Sequence, residues 1–266
     1  MKKIKFALIH NIISPYRIPV FNKLAKNKNI DLIVYFLNET AKNRNWNTNY
    51  YKKNLKFKYE ILPSINIKFP FIDSIEYNIN PTIFLKLHRE KFDVIITSGW
   101  VDFACQTIPF FKKAFGYKFI LWAGSTKNES SFQRKLTLFF VKLIIKKSDY
   151  FIPYGSESKK YLISLGANKE KIADSYNSID VTFFRNKVKG FTTEKIKKLK
   201  RKYNIPLNKK VILYVGQFIP RKNVTLLIKA VALINKKISL VILGSGRQKQ
   251  KYIDLSQKLG VDLIII

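Results

Sequence analysis

The chain has 266 residues, 47% hydrophobic and 25% charged, enough for two ordinary domains with cores of their own. Lys and Arg outnumber Asp and Glu 50 to 17, and the net charge of +33 draws polyanions: nucleic acid, anionic headgroups, phosphorylated small molecules. A single cysteine, Cys105, excludes an intramolecular disulfide, the two histidines, His10 and His88, exclude a Cys/His metal site, and no apolar run reaches the length of a membrane span.

The lysines are scattered through every segment, with no basic tail, so much of the charge reads as solvated surface. At the N-terminus, MKKIKFALIHN has an apolar stretch too short for a secretory leader, and 4–9 predicts a strand. A helix over 16–27 and a strand over 31–36 follow. Residues 37–56 are polar, basic and aromatic, and 63–79 are irregular; both read as loops at the C-terminal side of the strands, solvated or functional. Asn80 as N-cap and Pro81 at the first helical position predict a helix over 80–91. Next come a strand (92–98), a helix (101–116) closed by Gly116, a strand (117–123), a helix (131–148) and a strand (149–154). A helix over 156–166 is expected to have Ser156 as cap and Gly166 just past its end.

Residues 177–191 fit neither period and read as a linker. A charged helix (192–204), a strand (211–215), a helix (224–234), a strand (238–244), a helix ending at Gly260 and a strand (261–266) complete the pattern. Near-continuous apolar runs predict parallel strands covered on both faces, and the alternation predicts an α/β, doubly wound fold. The division expected is a domain at 1–176, a linker at 177–191 and a partial domain at 192–266. A chain that stops on a buried-type strand reads as a fragment.

The stretch GQFIPRKN (216–223) poses a chemical question. It sets Arg221 and Lys222 side by side where a strand hands over to a helix. Two cations at the positive end of a helix dipole cost about 0.3–1 kcal/mol each, which makes sense if an anion belongs there; an exposed turn with two solvated cations is the alternative. Gly244 and Gly246 in GSG also follow a strand and open a helix, but the dinucleotide fingerprint is incomplete. They allow close approach of a ligand, or simply a tight turn. In the first half, His10, Ser14, Tyr16, Arg17, Trp100, Trp122 and Ser125 all fall where strands end. Arg17 suits a phosphate and the aromatic residues suit sugar rings, although turn formation and core packing account for them equally well. The helix at 131–148 combines Phe139, Phe140 and Ile144 with Lys135, Lys142, Lys146 and Lys147. Its apolar residues wrap too far round for an interfacial helix, so packing on the sheet is expected; a membrane contact would use 42–58, with Arg44, Trp46, Tyr50, Tyr51, Lys52 and Lys53.

The order of these parts resembles the retaining, nucleotide-sugar-dependent glycosyltransferases of family 4. Five stretches carry the resemblance: HNIISPYRIPVFNKLAK (10–26), SDYFIPYGSESKKYLISLGANKEKI (148–172), YNSIDVTFF (176–184), ILYVGQFIPRKNVTLLIKAV (212–231) and LVILGSGRQKQKYIDLSQKLG (240–260). The resemblance implies a GT-B-like architecture of two Rossmann-like domains, the second incomplete. It implies a nucleotide-sugar donor and a glycan or lipid-linked acceptor of surface polysaccharide synthesis. Lys222 falls on the family's usual lysine for the donor diphosphate. Gln217 stands where arginine is more usual, and Arg221 is placed to supply that charge. Lys222 and Arg221 are thus the implied catalytic cations, Gly216, Gln217, Gly244 and Gly246 the implied donor contacts, and His10, Ser14, Tyr16, Arg17, Trp100, Trp122 and Ser125 the acceptor-side residues. No metal or other cofactor is implied. The location implied is the cytoplasm, with peripheral contact at the inner face of an anionic membrane as an option. The family's E-x7-E pair has no counterpart after Gly246, where Asp254 and Asp262 are the acids. Weak donor binding and negligible turnover are therefore expected of these 266 residues alone. A basic nucleic-acid-binding α/β protein and a non-catalytic relic are the competing readings.

Overall fold

The computed structural model describes residues 2–41, 44, 46–68, 76–129, 132–234 and 237–266, and the chain divides into two units, Met1–Asp180 and Val181–Ile266. Parts of the expected loops at 37–56 and 63–79, and the Lys135 side chain, lie outside the described residues.

In chain order the first unit contains β1 (Ile4–His10), α1 (Ile18–Ala25), β2 (Ile30–Phe36), α2 (Thr48–Lys52), β3 (Lys58–Ile61), β4 (Ile65–Lys68), β5 (Glu76–Ile79), α3 (Thr82–Glu90), β6 (Val94–Ser98), α4 (Phe103–Phe115), β7 (Lys118–Ala123), α5 (Phe132–Lys147), β8 (Tyr150–Pro153) and α6 (Ser156–Ser164). Six strands form one parallel sheet in the order β3-β2-β1-β6-β7-β8. The apolar runs are continuous because both faces are covered. Ala7 and Ile9 of β1 enter one core with Tyr35, Ile95 and Phe119, while Leu8 between them enters another with Phe21, Val34 and Phe36. The strand order reverses between β1 and β6, and open α/β sheets bind ligands in the crevice at such a switch point. His10 ends β1 there, and Gly99 and Trp100 follow β6.

Several local expectations change. The stretch 63–79 contains an antiparallel hairpin, β4 with β5, pairing Ile65 with Ile79 and Ile67 with Tyr77. Buried Asp102 fastens it, accepting from the Asn78 backbone N–H (3.3 Å) and Nδ2 (2.7 Å). Within 37–56, Asn47 accepts from the Tyr50 N–H and starts the short helix α2. Asn80 does not cap α3. Fully buried, it instead donates to the carbonyls of Leu37 and Pro63, each at 2.9 Å, and the helix starts after Pro81. Gly155, not Ser156, precedes the first turn of α6. At that helix's other end Gly166 (φ 101°) completes a Schellman turn, with Gly166 N–H donating to Ile163 O and Ala167 N–H to Leu162 O. Phe139 and Phe140 stand exposed on α5; Val141, Ile144 and Ile145 make its inward face.

The second unit contains α7 (Val181–Lys189), inside the stretch that fits neither period, then α8 (Thr193–Lys202), β9 (Lys210–Val215), α9 (Val224–Ala232), β10 (Ile238–Leu243), α10 (Lys249–Lys258) and β11 (Leu263–Ile265). Its three strands are parallel, in the order β11-β10-β9. Phe218, Val224, Ile228, Leu240, Ile242 and Tyr252 fill the core on one face.

Candidate functional site

At the switch point of the first sheet, loop 11–17 carries the chain from β1 into α1. Arg17 N–H donates to Ser14 O, closing a turn, and Arg17 O accepts from Phe21 N–H, starting the helix. That turn directs the Arg17 side chain inward, where it is 4% exposed. Its guanidinium lies 4.4 Å from the Trp122 ring centre, 4.8 Å from Tyr154 and 5.4 Å from Tyr16, and Nη1 donates to Asn177 Oδ1 at 2.8 Å. Desolvated cation–π contacts contribute up to about 2 kcal/mol each, against a desolvation cost of several kcal/mol for a buried ion. Among the described residues no carboxylate contacts this guanidinium, and its Nε is buried without a partner.

His10 is equally buried, stacked on Trp122 (6.4 Å between ring centres) and edge-on to Phe21 (5.4 Å). Neither of its ring nitrogens has a hydrogen-bond partner. Burial, and then the Arg17 charge, bring its pKa down to about 3, so the imidazole is neutral and a poor proton acceptor. Ser14 is buried and Tyr16 is 43% exposed. The structure thus brings His10, Tyr16, Arg17 and Trp122 together. Trp100 is elsewhere, packed against the α4–α5 side of the core, and Ser125 lies beyond the end of β7. Tyr154 and Asn177 are the members that sequence reasoning missed. A signal for Tyr154 existed: it directly follows β8, on the rim where β7 ends at Ala123 beside Trp122, and Gly124 leaves its ring room, since a Cβ there would lie 2.3 Å from Tyr154 Cδ2.

In the second unit, β9 runs into Gly216, Gln217 and fully buried Phe218, and Pro220–Lys222 form one 3-10 turn before α9. Arg221 and Lys222 are exposed and have no carboxylate partner among the described residues. Asn223 (φ 47°) makes no side-chain cap; Leu226 N–H donates to Asn223 O, and the Val224 and Thr225 N–H groups at the start of α9 are left to face a ligand. Gly244 and Gly246 show why glycine stands there. A Cβ on Gly244 (φ 154°) would sit 2.0 Å from Gly216 O, and one on Gly246 (φ 147°) would sit 2.6 Å from Phe218 O. Phe218 N–H donates to Ser245 O and Gln248 N–H to Phe218 O, lacing the two loops into one rim. The two acids beyond Gly246 are engaged elsewhere: Asp262 with Lys209 (2.8 Å) and Ser239 (2.6 Å), Asp254 with Gln250 (2.8 Å).

Residues 195–265 match the family model described as Glycosyl transferases group 1. That span covers β9, the basic turn, the glycine loop and the strands flanking it. An uncharacterized glycosyltransferase of Methanocaldococcus jannaschii is 28% identical over 208 residues, 73% of this chain and 49% of that protein. The chain therefore spans about half the length of this relative. Among solved structures, Anabaena HepE in complex with UDP aligns with 99% of this chain and 69% of its own, at 13% identity and a TM-score of 0.71. A Rickettsia africae glycosyltransferase covers 100% of this chain and 68% of its own, at 14% identity and a TM-score of 0.68. S. aureus MnaA with UDP covers 100% and 69%, at 17% and 0.61. These likenesses show the fold: two parallel α/β sheets of GT-B-like type.

Proposed function

We propose that this chain is the donor- and acceptor-handling part of a glycosyltransferase. It takes a sugar from a nucleotide-sugar and delivers it, with retention, to a glycan or lipid-linked acceptor of surface polysaccharide synthesis. The observation that carries the reading is the exposed Arg221–Lys222 pair against the open N-terminus of α9, inside the segment matched to the family model. Cleaving a sugar–diphosphate bond leaves negative charge on the departing phosphate. Backbone N–H groups and two cations answer that charge, Arg with a two-oxygen fork and Lys as a point charge. Gly216, Gln217, Gly244 and Gly246 form the rim against which the nucleotide would lie. The chemistry is read as metal-independent, the two cations taking the role of a divalent ion. The relatives bound to UDP and UDP-glucose support the donor class. Peripheral contact with an anionic membrane, cytoplasmic side, belongs to the same reading.

Titration calorimetry with UDP and UDP-glucose tests it. Replacing Arg221 and Lys222 together by Ala is expected to weaken UDP binding roughly a hundredfold or more, two charge-assisted contacts at about 1.5–3 kcal/mol each. Unchanged affinity, or no binding of UDP to the parent chain, overturns the assignment. The net charge keeps a nucleic-acid reading alive; nanomolar RNA or DNA binding that falls steeply with salt would favour it.

A further inference from the structure

The cluster around Arg17 has an unmet requirement. Arg17 is 4% exposed, and its guanidinium is held by three rings and one neutral amide oxygen, with no contacting carboxylate among the described residues. Its Nε and both nitrogens of neighbouring His10 are buried without partners. Proteins rarely leave a buried cation and a neighbouring imidazole so under-supplied unless something else completes them. A merely structural arginine clamp would be satisfied by a buried Asp or Glu. Here the acceptor on Nη1 is Asn177 Oδ1, a neutral group that an anionic oxygen outcompetes, because an anion adds charge–charge attraction and a second oxygen for the guanidinium fork. Tyr16, half exposed and 5.4 Å from the guanidinium, is the cover a ligand would push aside. The aromatic floor of Trp122 and Tyr154 keeps the fork oriented whether or not an anion is bound.

We propose that Arg17 is a binding residue for an anionic group, phosphate or carboxylate, carried by the acceptor, and that the anion replaces Asn177 on the guanidinium while the acceptor's sugar lies against Tyr16. This deepens the glycosyltransferase reading by naming the acceptor's class: a glycan or glycolipid bearing negative charge beside the sugar that is extended.

The test uses the whole chain with glucose 1-phosphate, glucuronate and glucose as probes, and UDP as a separate arm. Glucose 1-phosphate or glucuronate is expected to bind while glucose does not, and whichever of the two binds identifies the anion. Asn177→Asp supplies a resident carboxylate. It is expected to raise Tm by pairing Arg17 internally and to weaken the anionic probe at least tenfold, with UDP affinity unchanged. Arg17→Lys, which keeps charge but loses the fork, is expected to weaken the same probe. Binding of the anionic sugars that ignores both substitutions overturns the proposal. So does a loss confined to UDP, which would assign the anion to the donor. If UDP fails to bind but an anionic sugar still binds through Arg17, the acceptor proposal stands and the donor assignment falls.

Discussion

At the scale of single residues, His10 ties folding to pH. Folded, its pKa is about 3; unfolded, it returns towards 6.5. Between those values the unfolded chain holds a proton that the folded chain lacks, so stability rises with pH across that window and is lost as pH falls. The steepest slope from one such group is about 1.4 kcal/mol per pH unit. His10→Phe, a ring for an aromatic pocket, is expected to remove this component. Urea unfolding from pH 6.5 downward should give the parent a steeper loss than the variant; parallel curves would show that His10 is not the buried neutral group described. At this scale the sequence was partly legible. Arg17, Tyr16, His10 and Trp122 could be chosen because each falls where a strand ends. Asn177 could not, because its meeting with Arg17 spans 160 residues and depends on the chain returning along β8, where Asn177 N–H donates to Tyr154 O. The glycines of GSG were legible as a tight place. What they accommodate, the backbone of 216–218, depends on the pairing of β9 with β10.

Among elements, the long parallel strands were legible because burial on both faces writes an unbroken apolar run. The short hairpin at 65–68 and 76–79 leaves no such mark. Ile65 and Ile67 are exposed, and its anchors are polar groups 24 and 29 residues away, buried Asp102 just before α4 and Gln106 within it. Helix α5 packs on the sheet as expected, through Val141, Ile144 and Ile145, but a count of apolar positions cannot tell an inward Ile144 from an outward Phe139. Its outer face sets Phe139 and Phe140, 69% and 58% exposed, with exposed Lys142, Lys146 and Lys147. No helix among the described residues is long and apolar enough to cross a membrane. An aromatic pair flanked by lysines instead suits the headgroup layer, where each lysine near an anionic leaflet contributes about 1 kcal/mol, roughly fivefold in partition. Co-sedimentation with phosphatidylglycerol vesicles, but not with phosphatidylcholine vesicles, is the expected result. Lys142→Gln with Lys146→Gln should lower it roughly twenty-five-fold, and Phe139→Ser with Phe140→Ser should lower it too. Binding unaffected by either pair would move the contact to another surface, the 42–58 loop first.

For the molecule as a whole, two properties pull in opposite directions. The net charge of +33 makes copies repel one another, and salt screens that repulsion over about 10 Å at 0.1 M. Against it stands the second face of the three-stranded sheet. In register across β9 and β10, Leu213 lies beside Val241 and Val215 beside Leu243. Leu213 is 61% exposed, Val215 63% and Leu243 42%, while the opposite face holds the core. Val241 itself is buried, so the bare part of this face is Leu213 and Val215 of β9 with Leu243; exposed apolar side chains grouped in this way are uncommon on a monomer, and β9 is also an edge strand in the described sheet. The two terms differ in their response to salt. Screening weakens the repulsion and leaves the apolar attraction intact, so self-association of this chain should strengthen as salt is added. Binding to any polyanion should weaken over the same range. Sedimentation velocity over a dilution series, at low and at physiological salt, reads this directly. Leu213→Lys with Val215→Lys is expected to hold the chain monomeric at both salts, with the circular dichroism of the parent, because neither side chain touches the core face. A parent chain that stays monomeric throughout, or association that fades with salt, would mean that charge rather than the bare sheet face governs how these molecules meet.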